Sequence, residues 1–175
     1  MVTRRYWDTC CFLGYLKEEE DKIVQCEAGM REAAEGKLEI VTSTITLAET
    51  LYLVKDGRPV PAETREKVRR LFENEFILLA EVDRRTAELA QEVVWDHDVA
   101  AKDAIHVATA VVVGKRLPIQ QLDTFDGPLI ERSGKVQGLR IGNPNFQTDL
   151  MMDAAENGAR TIRDGSQTTG GISPL

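Results

Sequence analysis

Short runs of strand length alternate with helical patterns along most of the chain, and this alternation limits the fold more than any single motif does. Tyr6-Trp7, residues 38–45, 76–80, 117–122 and 139–141 are short and of strand character, with 76–80 continuously apolar and 38–45 β-branched in rough alternation with polar residues. Between them apolar residues recur at helical spacing, as at Phe12, Leu13, Tyr15 and Leu16, and from Ile23 through Ala34. Parallel strands need helix-length crossovers, so the pattern predicts an α/β fold: a three-layer α/β/α sandwich with a central, largely parallel sheet. The unbroken apolar run Phe76-Ile77-Leu78-Leu79-Ala80 predicts a strand buried on both faces. Asp83 is placed to cap a helix that turns Ala87, Leu89, Ala90, Val93, Val94 and Trp95 inward.

The helix over 101–110 is apolar almost all round, which predicts burial, yet it carries Asp103 in its opening turns. A helix N-terminus stabilises a carboxylate, and that is the plain reading of Asp103. The sharper reading is that Asp103 faces other carboxylates across a cation.

A chain of 175 residues fits one principal domain, expected over 1–142, with 143–175 a partly disordered extension rich in Gly, Ser and Thr. Acidic residues outnumber basic ones 29 to 22, for a net charge of −7, which argues against coating nucleic acid nonspecifically. It leaves room for a local basic patch or a cation held by carboxylates. Cys10, Cys11 and Cys26 lack metal-site spacing and indicate a reducing compartment, with Cys10 and Cys11 read as small buried side chains. Asp8 interrupts any secretory apolar segment and no run reaches membrane-spanning length, so a cytoplasmic protein without membrane contact is expected.

In open parallel sheets, sites gather at the carboxyl ends of the strands. Asp8 ends the first strand, Glu49 follows the second, Asp126 follows the run beginning near Pro118, and Asp103 opens the helix leading into that run. Clustered like charges need a compensating cation, and oxygen-only donors suit Mg²⁺ or Mn²⁺. The corresponding chemistry is metal-assisted hydrolysis of a phosphodiester. Each position also has a plain structural reading. Thr46-x-x-Glu49 fits a helix capping box, Asp126 before Gly127-Pro128 fits a turn, and Thr9 and Thr124 fit strand-end capping hydroxyls. His106, one turn from Asp103, reads as a satisfied core histidine. Four such readings must hold together at matching topological positions, and their joint occurrence favours a shared site.

The segments Tyr6-Trp7-Asp8-Thr9, Ile45-Thr46-Leu47-Ala48-Glu49, Lys102-Asp103-Ala104-Ile105-His106-Val107-Ala108-Thr109-Ala110 and Leu122-Asp123-Thr124-Phe125-Asp126 resemble the successive motifs of PIN-domain ribonucleases, the VapC-type toxins above all. The resemblance covers residues 4–141. It implies a metal-dependent endoribonuclease in which Asp8, Asp103 and Asp126 hold Mg²⁺ or Mn²⁺, Glu49 positions or deprotonates water, and Thr9 and Thr124 support the site. It also implies an RNA substrate, a small antitoxin partner and a homodimer. Family members of the toxin type follow the last motif with a second acid and a phenylalanine, where this chain has Gly127-Pro128-Leu129, so the fourth acid is either Asp126 or Asp123. The alternative is a non-catalytic PIN-like module that binds RNA or a partner protein. A receiver or dehalogenase-type phosphatase is discounted, because the paired aspartates those sites use are absent. Arg4, Arg5, Lys55, Arg58, Lys102, Lys115 and Arg116 are candidates for a landing surface, as is the basic helix with Arg65, Lys67, Arg69 and Arg70.

Overall fold

The computed structural model describes residues 2–50, 60–132 and 136–147. In chain order the elements are β1 (Thr3–Trp7), α1 (Thr9–Leu16), α2 (Ile23–Ala34), β2 (Leu38–Ser43), α3 (Ile45–Glu49), α4 (Ala62–Phe72), β3 (Ile77–Ala80), α5 (Arg84–His97), α6 (Ala101–Gly114), β4 (Leu122–Asp123), α7 (Gly127–Ile130) and β5 (Ile141–Gly142). The chain divides into units 1–145 and 146–175, and every element lies in the first. Of the second unit only residues 146 and 147 are described, so the expected disordered extension lies almost wholly outside the described residues. The apolar run Leu51-Tyr52-Leu53-Val54, which reads as helix, and the turn residues Asp56-Gly57-Arg58-Pro59 that would close it also lie outside them.

The five strands form one all-parallel sheet in the order β3-β2-β1-β4-β5. From β1 the chain winds outward to β2 and β3, then returns to the other side of β1 for β4 and β5. The winding therefore reverses between β1 and β4, where a crevice opens at the carboxyl ends of the strands. Tyr6 lies opposite Leu122 and Trp7 opposite Asp123 in that pairing.

Side-chain alternation along β1 builds two cores. Tyr6 joins Ala104, Val107, Ala108 and Leu122 beneath α5 and α6, all nearly or wholly buried. Trp7 points the other way, edge-on to Phe12 at 5.4 Å, and Phe12 in turn meets Phe72 at 5.0 Å between ring centroids. The helix around Asp103 is thus the buried backing of one layer, as its apolar surface predicts.

Three expectations change. The run 76–80 supplies β3, but β3 is an edge strand with only Ile77 fully buried, because no strand follows it in the sheet. On α5 Trp95 is 66% exposed and Ala87 is exposed too, against the expectation that both turn inward; the buried positions are Thr86, Ala90 and Val93. The run 117–122 contributes only its last residue to β4. Gln120 and Gln121 still bond to β1 through Gln120 N–H to Arg4 O and Tyr6 N–H to Gln121 O. Asp83 does cap α5, its Oδ1 accepting from Thr86 N at 2.8 Å, and Gly36, with φ of 72°, takes the left-handed position after α2.

Candidate functional site

Asp8 emerges from the end of β1 and immediately becomes the N-cap of α1, its Oδ1 accepting from the N–H groups of Cys10 (3.0 Å) and Cys11 (3.3 Å). The carboxyl is 5% exposed. Across the crevice, the Thr124 hydroxyl just beyond β4 accepts from the Asp126 N–H at 2.9 Å and lies 3.4 Å from Cys10 Sγ. Asp126 caps α7 through Leu129 N at 2.8 Å. One loop therefore carries Thr124 and Asp126 toward Asp8.

Asp103 sits half-buried in the first turn of α6. Burial, then the negative charge of Asp126, raises its carboxyl above the ordinary value of 3.8. Burial likewise holds the Asp8 carboxyl well above the ordinary value. His106 and Lys102 act the other way on Asp103, but burial and Asp126 outweigh them.

Glu49 is treated quite differently. Its Oε2 accepts from the Thr9 hydroxyl at 2.5 Å and lies 3.0 Å from His106 Nε2, while Lys102 Nζ stands 3.3 Å from Oε1. Lys102 and His106 are four residues apart on α6, so both reach down one face to the same carboxylate. Hydrogen bonding from His106, aided by Thr9 and Lys102, pulls the Glu49 carboxyl down to about 2. The capping-box reading of Glu49 fails, because α3 begins at Ile45 and Glu49 is its last residue. Thr46 instead pairs its hydroxyl with that of Thr42 at 2.8 Å.

Asp123 is wholly buried and internally satisfied, by an ion pair with Arg5 and by the side-chain N–H groups of Trp7 (3.1 Å) and Gln121 (2.9 Å). It lies on the Trp7 face of the sheet, away from α6. Geometry therefore separates the two candidates for the fourth acid: Asp123 is committed to Arg5, whereas Asp126 stands near Asp103. Arg5, 6% exposed, is a core cation rather than part of a landing surface. Lys55 and Arg58 lie outside the described residues.

Two site residues escape the sequence reading. His106 is buried as expected of a core histidine, yet it bridges the Tyr6 hydroxyl (2.8 Å from Nδ1) and Glu49. The Lys102-to-His106 spacing opposite an acid was the available signal. Cys10 is half-exposed rather than simply buried, with Sγ 2.8 Å from Asp8 Oδ1 and receiving the Phe125 N–H at 3.0 Å. Hydrogen bonding from Cys11, ahead of that from Thr124 and Phe125, brings the Cys10 thiol down to about 6 while burial pushes Asp8 up, so the two compete for one proton.

The donor set fits a hard divalent cation. Asp8, Asp103 and Asp126 offer oxygen donors, and Mg²⁺ typically takes few carboxylates and completes its shell with water and phosphate. The four predicted acids do not themselves close into a single tight cluster. Among the described residues the trio of metal-capable side chains whose donor atoms lie within 4.8 Å of one another is Asp8, Cys10 and Cys11.

This architecture is shared with solved toxins. VapC20 of Mycobacterium tuberculosis, described as a sarcin-ricin loop cleaving toxin, superposes with a TM-score of 0.53 at 20% identity over 70% of this chain and 89% of its own. A toxin–antitoxin complex from Klebsiella pneumoniae gives 0.56 at 16% identity, over 82% and 99%. VapBC2 of Rickettsia felis, bound to a DNA fragment from its promoter, gives 0.59 at 13% identity, over 82% and 100%. At these identities the likeness concerns the fold. No curated protein sequence matches the chain. None of the described helices is long and apolar enough to cross a membrane. The PIN domain model matches residues 5–132, a span holding Asp8, Glu49, Asp103 and Asp126 together with the end of β1 and strands β2 to β4, and the chain belongs to the PIN domain family.

Proposed function

We propose that this protein is a Mg²⁺- or Mn²⁺-dependent endoribonuclease, a toxin restrained by a small antitoxin. The observation that carries the reading is the contrast among five acids. Asp123 is ion-paired with Arg5 and Glu49 with Lys102, while burial and the nearby charge of Asp126 raise Asp103, and burial raises Asp8. Burial and the charge of Asp126 disfavour the ionised state of Asp103, burial disfavours that of Asp8, and a bound cation would offset both.

Asp8, Asp103 and Asp126 would hold the ion. A bound Mg²⁺ or Mn²⁺ supplies Lewis acidity toward a phosphate and makes water a better nucleophile at neutral pH. Glu49, held near 2, is ionised at neutral pH and too weak a base to take a proton efficiently, so its role is to orient water by accepting a hydrogen bond. Thr9 and His106 fix its orientation. Thr124 ties the Asp126 loop to the Asp8 turn. Lys102, largely exposed beside Glu49, offers a positive charge to the RNA backbone.

The RNA substrate and antitoxin partner are supported by family membership and by two structural neighbours, one a sarcin-ricin loop cleaving toxin and another a toxin–antitoxin complex. The test is incubation of the protein with defined RNAs and Mn²⁺. Cleavage that disappears with chelator and in Asp8→Asn and Asp103→Asn supports the assignment. Cleavage that persists in both variants refutes it.

A further inference from the structure

The cation crevice contains a sulfur as well as oxygens. Cys10 Sγ lies 2.8 Å from Asp8 Oδ1, and the sulfur of Cys11 completes a set of three donor atoms within 4.8 Å of one another. The geometry points to a second mode of occupancy: a thiophilic divalent cation, Zn²⁺ first, held between the Asp8 carboxylate and the Cys10 thiolate. This rests on the Asp8 crevice being a cation site, but not on its cleaving RNA.

Ligand chemistry separates the two modes. Mg²⁺ takes oxygen donors and has little use for a thiolate, whereas Zn²⁺ binds Cys sulfur and Asp oxygen in four-coordinate sites. Cys10 is only partly buried and stands directly beside Asp8, so a cation meeting Asp8 meets Cys10 too. The Phe125 N–H already points at Sγ from 3.0 Å and orients the sulfur from behind. Cys11 is fully buried and gives its S–H to the Asp123 carbonyl at 3.3 Å, so it stands in reserve rather than leading. Cys26, whose Sγ bonds to the Cys11 carbonyl at 3.3 Å, lies outside the trio. Binding forms one metal–sulfur bond and releases the Cys10 thiol proton to solvent, with no change of oxidation state. Since Zn²⁺ and Mg²⁺ would share Asp8, they exclude one another.

The experiment titrates the purified full chain with Cd²⁺ as a spectroscopic stand-in for Zn²⁺, reading the thiolate-to-metal charge-transfer absorption, and then competes Cd²⁺ with Zn²⁺. The wild type is expected to develop the band with one equivalent, Cys26→Ser to keep it, and Cys10→Ser to lose it with a fall in affinity of at least about tenfold. A wild type without the band, or a folded Cys10→Ser that keeps it, overturns the inference. Alkylation of the wild type, mapped by mass spectrometry, needs no variant: Zn²⁺ is expected to protect Cys10, and unchanged labelling overturns the inference. The band in a protein that cleaves no RNA with Mn²⁺ would uphold this site while refuting the nuclease reading. Mn²⁺-dependent cleavage without the band would do the reverse.

Discussion

His106 Nε2 lies 3.0 Å from Glu49 Oε2 while Nδ1 of the same ring lies 2.8 Å from the buried Tyr6 hydroxyl, so α6 and β1 jointly aim the carboxylate that follows β2. A neutral ring serves both contacts if the phenol donates to Nδ1 and Nε2–H donates to Glu49. The core therefore sets the orientation of a rim residue.

His106→Ala is expected to release Glu49, whose carboxyl should rise from about 2 toward the ordinary 4.5. Carbon-detected NMR titration of the Glu49 carboxyl reads this directly. Hydrolysis should fall about 10- to 100-fold, with partial rescue by His106→Gln, whose amide can still donate. The same shift sets a pH dependence of stability. Because the folded value lies below the unfolded one, the Glu49 contribution is complete above 4.5 and is lost as pH falls toward 2. Acid-unfolding curves of Glu49→Gln should lose that component.

Asp8 behaves oppositely. Its folded value is raised, so the metal-free native state binds the proton more tightly than the unfolded chain, and stability falls as pH climbs above the ordinary 3.8. Asp8→Asn keeps an oxygen to accept from Cys10 N and Cys11 N but removes the buried charge. At neutral pH without metal, its Tm should exceed that of the wild type by about 2–4 °C, the scale of 1 kcal/mol in a domain of this size. Saturating Mn²⁺ should raise the wild-type Tm and leave the variant unmoved.

Asp123 and Asp126 should part company on substitution. Asp123→Asn leaves the Arg5 guanidinium buried without its counter-ion, and a loss of about 3–5 kcal/mol in denaturant unfolding is expected. Asp126→Asn keeps an acceptor for Leu129 N, so its stability should change by about 1 kcal/mol or less while RNA cleavage collapses.

What sequence reasoning could see follows from what is local. Strand-length apolar runs and helical periods are properties of neighbouring residues, so the α/β sandwich, the Asp83 cap and the buried α6 are all readable in advance. Position within the sheet is not local. The run 76–80 looks like a central strand but ends at the edge, and Trp95 looks inward-facing but points to solvent. At the site, Asp8 is exposed as unusual by its place after an apolar strand. The contrast between Asp123 and Asp126 depends on Arg5, 118 residues before Asp123. Likewise the roles of His106 and Cys10 depend on partners that only folding supplies: Tyr6 for the first, the Phe125 N–H for the second.

The central claim, that Asp8, Asp103 and Asp126 form a cation site, is tested most directly by Mn²⁺ binding to Asp103→Asn, followed by electron paramagnetic resonance of free Mn²⁺. Asp103 is half-exposed and caps no helix through its side chain, so its substitution disturbs the fold least. The account predicts that wild-type protein depletes the free Mn²⁺ signal and that folded Asp103→Asn does so at least about tenfold more weakly. Equal depletion by the two proteins would contradict it.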